Sequence, residues 1–218
     1  MKKLLLSAAA FAAIAANPAH ATLINDSFNF ALATTEITQT GTLDKFDSNL
    51  GVLNSVTLTL NGSAITTISL TNFAATSVSG LATALVDLHW SSSLAGLDLS
   101  LIDLSMTFAT PGGNLNYTPG QARSFGPLND SQSTVLNPAA ALFGAAGGGT
   151  FDITCNSLSG ISILGGDGNL GSNQQTQAQC GAAIAYDFTP RTVTVPEPTT
   201  LALLGLGLLG GALRYRRN

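Results

Sequence analysis

Val56-Thr57-Leu58-Thr59-Leu60-Asn61-Gly62-Ser63-Ala64-Ile65-Thr66-Thr67-Ile68-Ser69-Leu70 decides the fold class. Val56, Leu58 and Leu60 alternate with Thr57 and Thr59, the period-two pattern of a half-buried strand. Ile65 to Leu70 is rich in β-branched residues. Asn-Gly between two such runs is the strongest short hairpin signal, because both central residues of a type I′ turn need positive φ. The stretch therefore predicts two strands joined by a tight turn at Asn61-Gly62.

The same alternation runs outward from it. Phe28-Phe30-Leu32 and Glu36 to Leu43 predict two strands upstream, and Leu85 to Trp90 predicts one downstream. Leu97, Leu99 and Leu101 alternate with Asp98 and Ser100, then Ile102, Leu104, Met106 and Phe108 alternate in the opposite phase. A one-residue slip exchanges the two faces of a strand, so a turn, a β-bulge or a change of sheet is expected between Leu101 and Ile102. Pro138 to Gly144 reads as a helical turn or two, with Asn137 as its cap. Many short strands separated by Gly/Asn turns predict an all-β, antiparallel β-sandwich of jelly-roll or Ig-like topology over residues 22–194.

Cys155 and Cys180 sit in phase with this pattern. Phe151, Ile153 and Cys155 share one face of a strand, and Cys180, Ala182, Ile184, Tyr186 and Phe188 share one face of another. Both cysteines are expected to point inward and to lie opposite each other on antiparallel strands. Two inward cysteines facing each other form a disulfide in an oxidising compartment, which the two chain ends predict, and it would clasp a long loop from Asn156 to Gln179. By the chain-entropy relation a loop of about 25 residues contributes roughly 3.5 kcal/mol.

Both ends predict export. Lys2 and Lys3 precede an apolar run from Leu4 to Ala16, and Ala19-His20-Ala21 is a small-x-small cleavage site. Residues 1–21 thus read as a signal peptide, with the mature chain starting at Thr22. At the other end Val195-Pro196-Glu197-Pro198 leads into an apolar run from Thr199 to Leu213, then Arg214-Tyr215-Arg216-Arg217. The run is about 15 residues, roughly 22 Å as a helix, short against a bilayer core of about 30 Å. It predicts a transmembrane helix held briefly. Arg214, Arg216 and Arg217 orient it with the basic end in the cytoplasm, leaving Pro196-Glu197-Pro198 on the outer face.

This tripartite tail over residues 195–218 resembles the PEP-CTERM sorting signal of Gram-negative bacteria. The resemblance implies recognition of Pro196, Glu197 and Pro198 by an exosortase, a membrane protease-transpeptidase, after transient anchoring in the inner membrane. It implies delivery to the cell surface or extracellular matrix. Phe46-Asp47, Leu50-Gly51, Leu53 and Val56, with the closing Tyr186-Asp187-Phe188, resemble the choice-of-anchor E domain. That resemblance implies an exported β-rich module, with no catalytic or binding residue to carry over.

Composition narrows the partners. The chain has 218 residues, of which 45% are hydrophobic and only 9% charged. Between Thr22 and Val195 three basic residues, Lys45, Arg123 and Arg191, face 11 acidic ones, a net charge of −8 (3 − 11). Such a surface repels phosphate backbones, so no nucleic acid partner is expected.

Catalytic patterns are scarce. His89 is the sole histidine after the signal peptide and stands beside Trp90, the sole tryptophan. As a general base in a secreted hydrolase it would need convergent polar groups around it. No nucleophile elbow, P-loop or metal-spaced histidine pattern is present. Asp98 and Asp103 fall at outward strand positions rather than as a catalytic carboxylate pair. Gly165 to Gly171 hints at a calcium loop but lacks the carboxylates that six to eight oxygen ligands would require. Trp90 or Tyr117, if exposed, would offer a stacking platform for sugars, although the ordinary place of a large aromatic is the core. The sequence thus reads as a non-enzymatic exported surface or matrix protein, without metal or cofactor and with exopolysaccharide as a partner. A carbohydrate-binding module is the alternative, and a secreted hydrolase the third reading.

Overall fold

Every even-numbered residue from Val56 to Asn72 points into one core. The computed structural model describes residues 21–191, and this stretch lies within a single continuous strand, β5 (Gly51–Asn72). There is no hairpin at Asn61-Gly62. Gly62 takes no positive φ, and its missing side chain leaves the space filled by Leu88. A two-residue turn there would have set Leu58 and Leu60 on the same face as Ile65 and Ser63, with Ile68 and Leu70 on the other. Unbroken burial of one parity outweighed the local turn preference.

The remaining strands are β1 (Thr22–Asn29), β2 (Ala33–Thr34), β3 (Thr38–Asp44), β4 (Phe46–Asp47), β6 (Val78–Ser92), β7 (Asp103–Ala109), β8 (Leu115–Tyr117), β9 (Ala122–Leu136), β10 (Gly144–Ala145), β11 (Thr150–Gly165) and β12 (Leu170–Pro190). They form two antiparallel sheets, one ordered β1-β12-β5-β9 and the other β3-β11-β6-β7. β2 adds to β12, β8 adds to β6, and β4 and β10 make a two-residue parallel ladder. Among the eight principal strands only β6 and β7 are consecutive neighbours in one sheet; every other connection crosses to the opposite sheet. That winding is a jelly roll. An Ig-like sandwich would keep several consecutive strands paired within a sheet.

Two segments differ from the sequence expectations at the ends of strands. Leu97 and Leu99 are buried from a loop rather than a strand, and Leu101 is 91% exposed. A turn closed by the Ile102 N–H to the Leu99 C=O (2.9 Å) absorbs the change of phase. The helical turn is a single 3-10 turn, Ala140–Leu142, entered through Ala139 with no side-chain cap, so Asn137 is not its cap. The predicted signal helix, the transmembrane helix at 199–213 and the tail residues Pro196–Pro198 lie outside the described residues. Among those described, no helix is long and apolar enough to cross a membrane.

The cysteines are bonded to each other across the sandwich. Cys155 on β11 and Cys180 on β12 are buried, with Cα atoms 6.4 Å apart. They are not neighbours on paired strands, as the sequence suggested, because β11 and β12 belong to different sheets. Facing sheets normally lie about 10 Å apart, so the sandwich is pinched at the bridge. Small side chains accommodate the pinch: Gly62 is registered beside Cys180, Ala64 beside Ala178, and Ala182 beside Leu60. The segment Asn156–Gln179 is likewise not a loop. It is the far half of β11, a 3-10 turn at Gly166–Gly168, and the near half of β12.

Tyr186 on β12 ties its sheet to β3 of the other sheet. Its hydroxyl donates to the Asp44 carbonyl at 2.7 Å, and its ring packs against Phe46 and Phe143. Burial, with the Asp26 and Asp44 carboxylates nearby, pushes the phenol far above its ordinary value. A phenol whose folded pKa exceeds its unfolded one contributes stability that is complete below about pH 10 and is lost as pH rises beyond it. Urea unfolding from pH 8 to 11 should show that decline. Tyr186→Phe should make it shallower, leaving the share of the also raised Tyr117 phenol, while costing about 1 kcal/mol at neutral pH, since the Asp44 carbonyl loses its donor. An unchanged alkaline slope would remove Tyr186 as its source.

Candidate functional site

The residues singled out for chemistry are scattered by the fold. His89 and Asp103 face each other across β6 and β7 on the outward side of their sheet, with Nδ1 and Oδ1 3.7 Å apart. Both side chains are about half exposed, at 50% and 46%. Asp87 on the next rung accepts a hydrogen bond from Ser105. Asp98 lies in the loop before β7, where the Ser100 backbone N–H, then its hydroxyl, hold the carboxyl below its ordinary value. Asp98 and Asp103 are therefore solvated, on separate elements. Among the described residues no three His, Cys, Asp or Glu side chains converge on a metal position.

Trp90 and Tyr117 are 3% and 0% exposed. The stacking platform expected of a sugar-binding aromatic is thus absent at both residues. Trp90 is registered beside Cys155 and packs in the core next to the disulfide. Tyr117 lies under the Arg123 guanidinium, 5.2 Å from the ring centroid, and burial raises its phenol. Gly165 to Gly171 turns the chain from β11 to β12, with Asp167 at φ 47°. Ala21 is exposed just ahead of β1.

The described surface does hold one sizeable cleft, which the sequence reading did not foresee. It has a volume of about 670 Å³ and lies where β2 ends, reaching from Ser159 on the facing sheet over the β12 edge to Ile65 and Thr67 on β5. Thr34, Thr35, Ser159, Gln174 and Thr176 line it. Thr35 bridges the sheets there: its hydroxyl pairs with that of Ser159 at 3.0 Å, and its N–H donates to the Thr176 carbonyl at 3.1 Å. The Thr176 hydroxyl in turn meets Thr66 at 2.7 Å and accepts from Gln174 Nε2 at 2.6 Å. The lining holds hydroxyls and amides with no ionisable group, so it can bind through neutral hydrogen bonds but offers no general acid or base. A second, smaller depression of about 280 Å³ on the outward face of the same sheet is also neutral, lined by Asn29, Asn61, Ser63, Ser131, Ser133 and Gln179 among others.

Comparison with known proteins adds a finding at the C-terminus. The family described as the PEP-CTERM protein-sorting motif matches residues 194–217. The motif supports an exported protein sorted to the cell envelope, with an exosortase as its recognition partner. No curated protein matched the sequence. Among solved structures, the VP2 protein of infectious bursal disease virus is similar at 8% identity and TM-score 0.21, over 87% of this chain and 48% of that one. The VP1 protein of Trichodysplasia spinulosa-associated polyomavirus, solved with 6'-sialyllactose, is similar at 11% identity and TM-score 0.21, over 78% of this chain and 96% of that one. The chain spans about half the length of the VP2 chains it matches.

Proposed function

We propose that the chain is a non-enzymatic protein of the cell surface or extracellular matrix of a Gram-negative bacterium, exported behind residues 1–21 and processed at its tail. The matched motif at residues 194–217 carries the reading. In it, the apolar run 199–213 anchors the chain transiently in the inner membrane. Arg214, Arg216 and Arg217 hold the basic end inside, and the exosortase acts near Pro196-Glu197-Pro198. The jelly roll is the delivered cargo, and its resemblance to the choice-of-anchor E domain agrees with that role. Exopolysaccharide is the partner class the surface favours. The outward face around Asn61 and Gln179 is neutral and rich in hydroxyls and amides, suited to polyhydroxylated chains rather than to ionic ligands.

The test is the intact mass of the mature protein, purified from a host with and without the exosortase. The expected result is loss of everything after about Pro198 only when the enzyme is present. A tail retained in both hosts would reduce the protein to a membrane-anchored domain and overturn the processing step.

A further inference from the structure

Beside the cleft at the end of β2, the sheet edge continues uncovered. β1 pairs with Gly181–Phe188 of β12, and β2 pairs with Gln177 and Ala178. From Thr176 back to Leu170 the described residues place no strand on that side. The direction of each backbone group there follows from its neighbours. Phe30 N–H donates to the Cys180 carbonyl, Thr35 N–H donates to the Thr176 carbonyl, and Cys180 N–H donates to Gln39 Oε1. Even-numbered residues of β12 thus turn their backbone groups away from β5. Odd-numbered ones turn toward it, as the Phe73 N–H to the Asn169 carbonyl shows. Leu170, Ser172 and Gln174 therefore present three successive free rungs.

Strand edges are ordinarily guarded by charge, proline, bulges or brevity. Here none of these applies. No charged residue and no proline occurs between Asp167 and Asp187. The register with β5 runs without a shift from Leu170 to Asp187. In the other sheet the described residues leave the corresponding half of β11 uncovered too, since β3 pairs only as far as Asn156. The Ser157 N–H, which donates to the Ile37 carbonyl, sets the phase. Ser159, Ile161 and Ile163 are the free positions beyond it.

We propose that the β12 edge is a self-association surface, and that its occupant is the same edge of a second copy. An antiparallel pair symmetric about Ser172 matches Leu170 with the partner copy's Gln174 and Ser172 with the partner copy's Ser172. All three free rungs of each copy are then used. Such a two-fold contact is self-complementary by construction. The edge is neutral, so although each domain carries a net charge of −8, the paired strands set no like charges opposite each other. A cationic peptide, which the overall charge would attract, finds no carboxylate along these rungs. The pairing rests on residues 170–174 of β12 and does not depend on the proposed processing.

The test is sedimentation equilibrium of the mature protein over about three decades of concentration, up to roughly 0.5 mM, a span that would detect Kd values from micromolar upward. Wild type should form dimers. Ser172→Lys, which sets two ammonium groups across the dyad, should weaken the dimer by roughly tenfold or more. Ser172→Pro should also abolish it with little loss of monomer stability, because the N–H removed is a free one. Should the proline variant fail to fold, the lysine variant decides alone. Hydrogen exchange gives an independent readout: the amides of Leu170, Ser172 and Gln174 should slow as concentration rises. A monomer at every concentration would overturn the proposal. So would a dimer as tight in Ser172→Lys as in wild type, or one that leaves those three amides unprotected.

Discussion

Replacing Cys155 and Cys180 together with alanine should lower the unfolding free energy by about 3.5 kcal/mol. For a domain of this size that is a fall in Tm on the order of 10 °C. The separation of 25 residues sets the figure through the entropy the closed loop removes from the unfolded chain. The native state adds to the effect. Both cysteines are buried between the sheets, so the alanines leave a dry gap between Trp90 and the Gly62 row. Either single substitution should cost nearly as much as the pair, since each breaks the same bond. Calorimetry under oxidising conditions checks this. A loss below about 1 kcal/mol would mean that the unfolded chain is already constrained between these positions.

The second large effect should come from the notch at Gly62. A side chain there meets Leu88, which reaches in from the opposite sheet. Gly62→Ala should cost roughly 1–3 kcal/mol by overpacking, despite the ordinary benefit of removing a glycine from a strand interior. Leu88→Ala should cost roughly 2–5 kcal/mol, because the residue is fully buried and its removal leaves a cavity. The informative quantity is their combination. The new methyl occupies part of the vacated space, so the double variant should be more stable than the sum of the singles by about 1–2 kcal/mol. Denaturant unfolding of the four proteins measures it. Strict additivity would show that Leu88 does not fill the notch.

That notch also shows how much of the fold could be read from the chain. The all-β, antiparallel character was legible because alternation was nearly continuous, and the inward cysteines followed from phase alone. The hairpin at Asn61-Gly62 was a misreading of information that was present. Val56, Leu58, Leu60, Ala64, Ile68 and Leu70 share one parity straight through the dipeptide, which a two-residue turn would have broken. Asn156–Gln179 was harder. Its β12 half is mostly hydroxyls and amides, its β11 half exposes Leu158 and Leu164 outward, and Gly165, Gly166 and Gly168 interrupt it, so neither half carries a clean alternation. The pairing of Cys155 with Cys180 across two sheets, rather than along one, depends on winding, which periodicity cannot encode. The cleft was invisible for the same reason: Thr35, Ser159 and Thr176 are remote in sequence and meet only because β3 and β11 lie in one sheet and β12 in the other. The sorting signal behaves oppositely, since its information is local and linear.

The inter-sheet bridge has a mechanical consequence for a domain pulled at its two ends, Thr22 and Pro190. Tension passes from β1 along the chain to Cys155, crosses the sulfurs to Cys180, and leaves through the last ten residues of β12. The separation of 25 leaves 24 residues, Asn156 to Gln179, outside the load path. They hold roughly 80 Å of contour length in reserve. A stretched domain can therefore give up its outer strands while the segment bearing the free rungs of β12 carries no load.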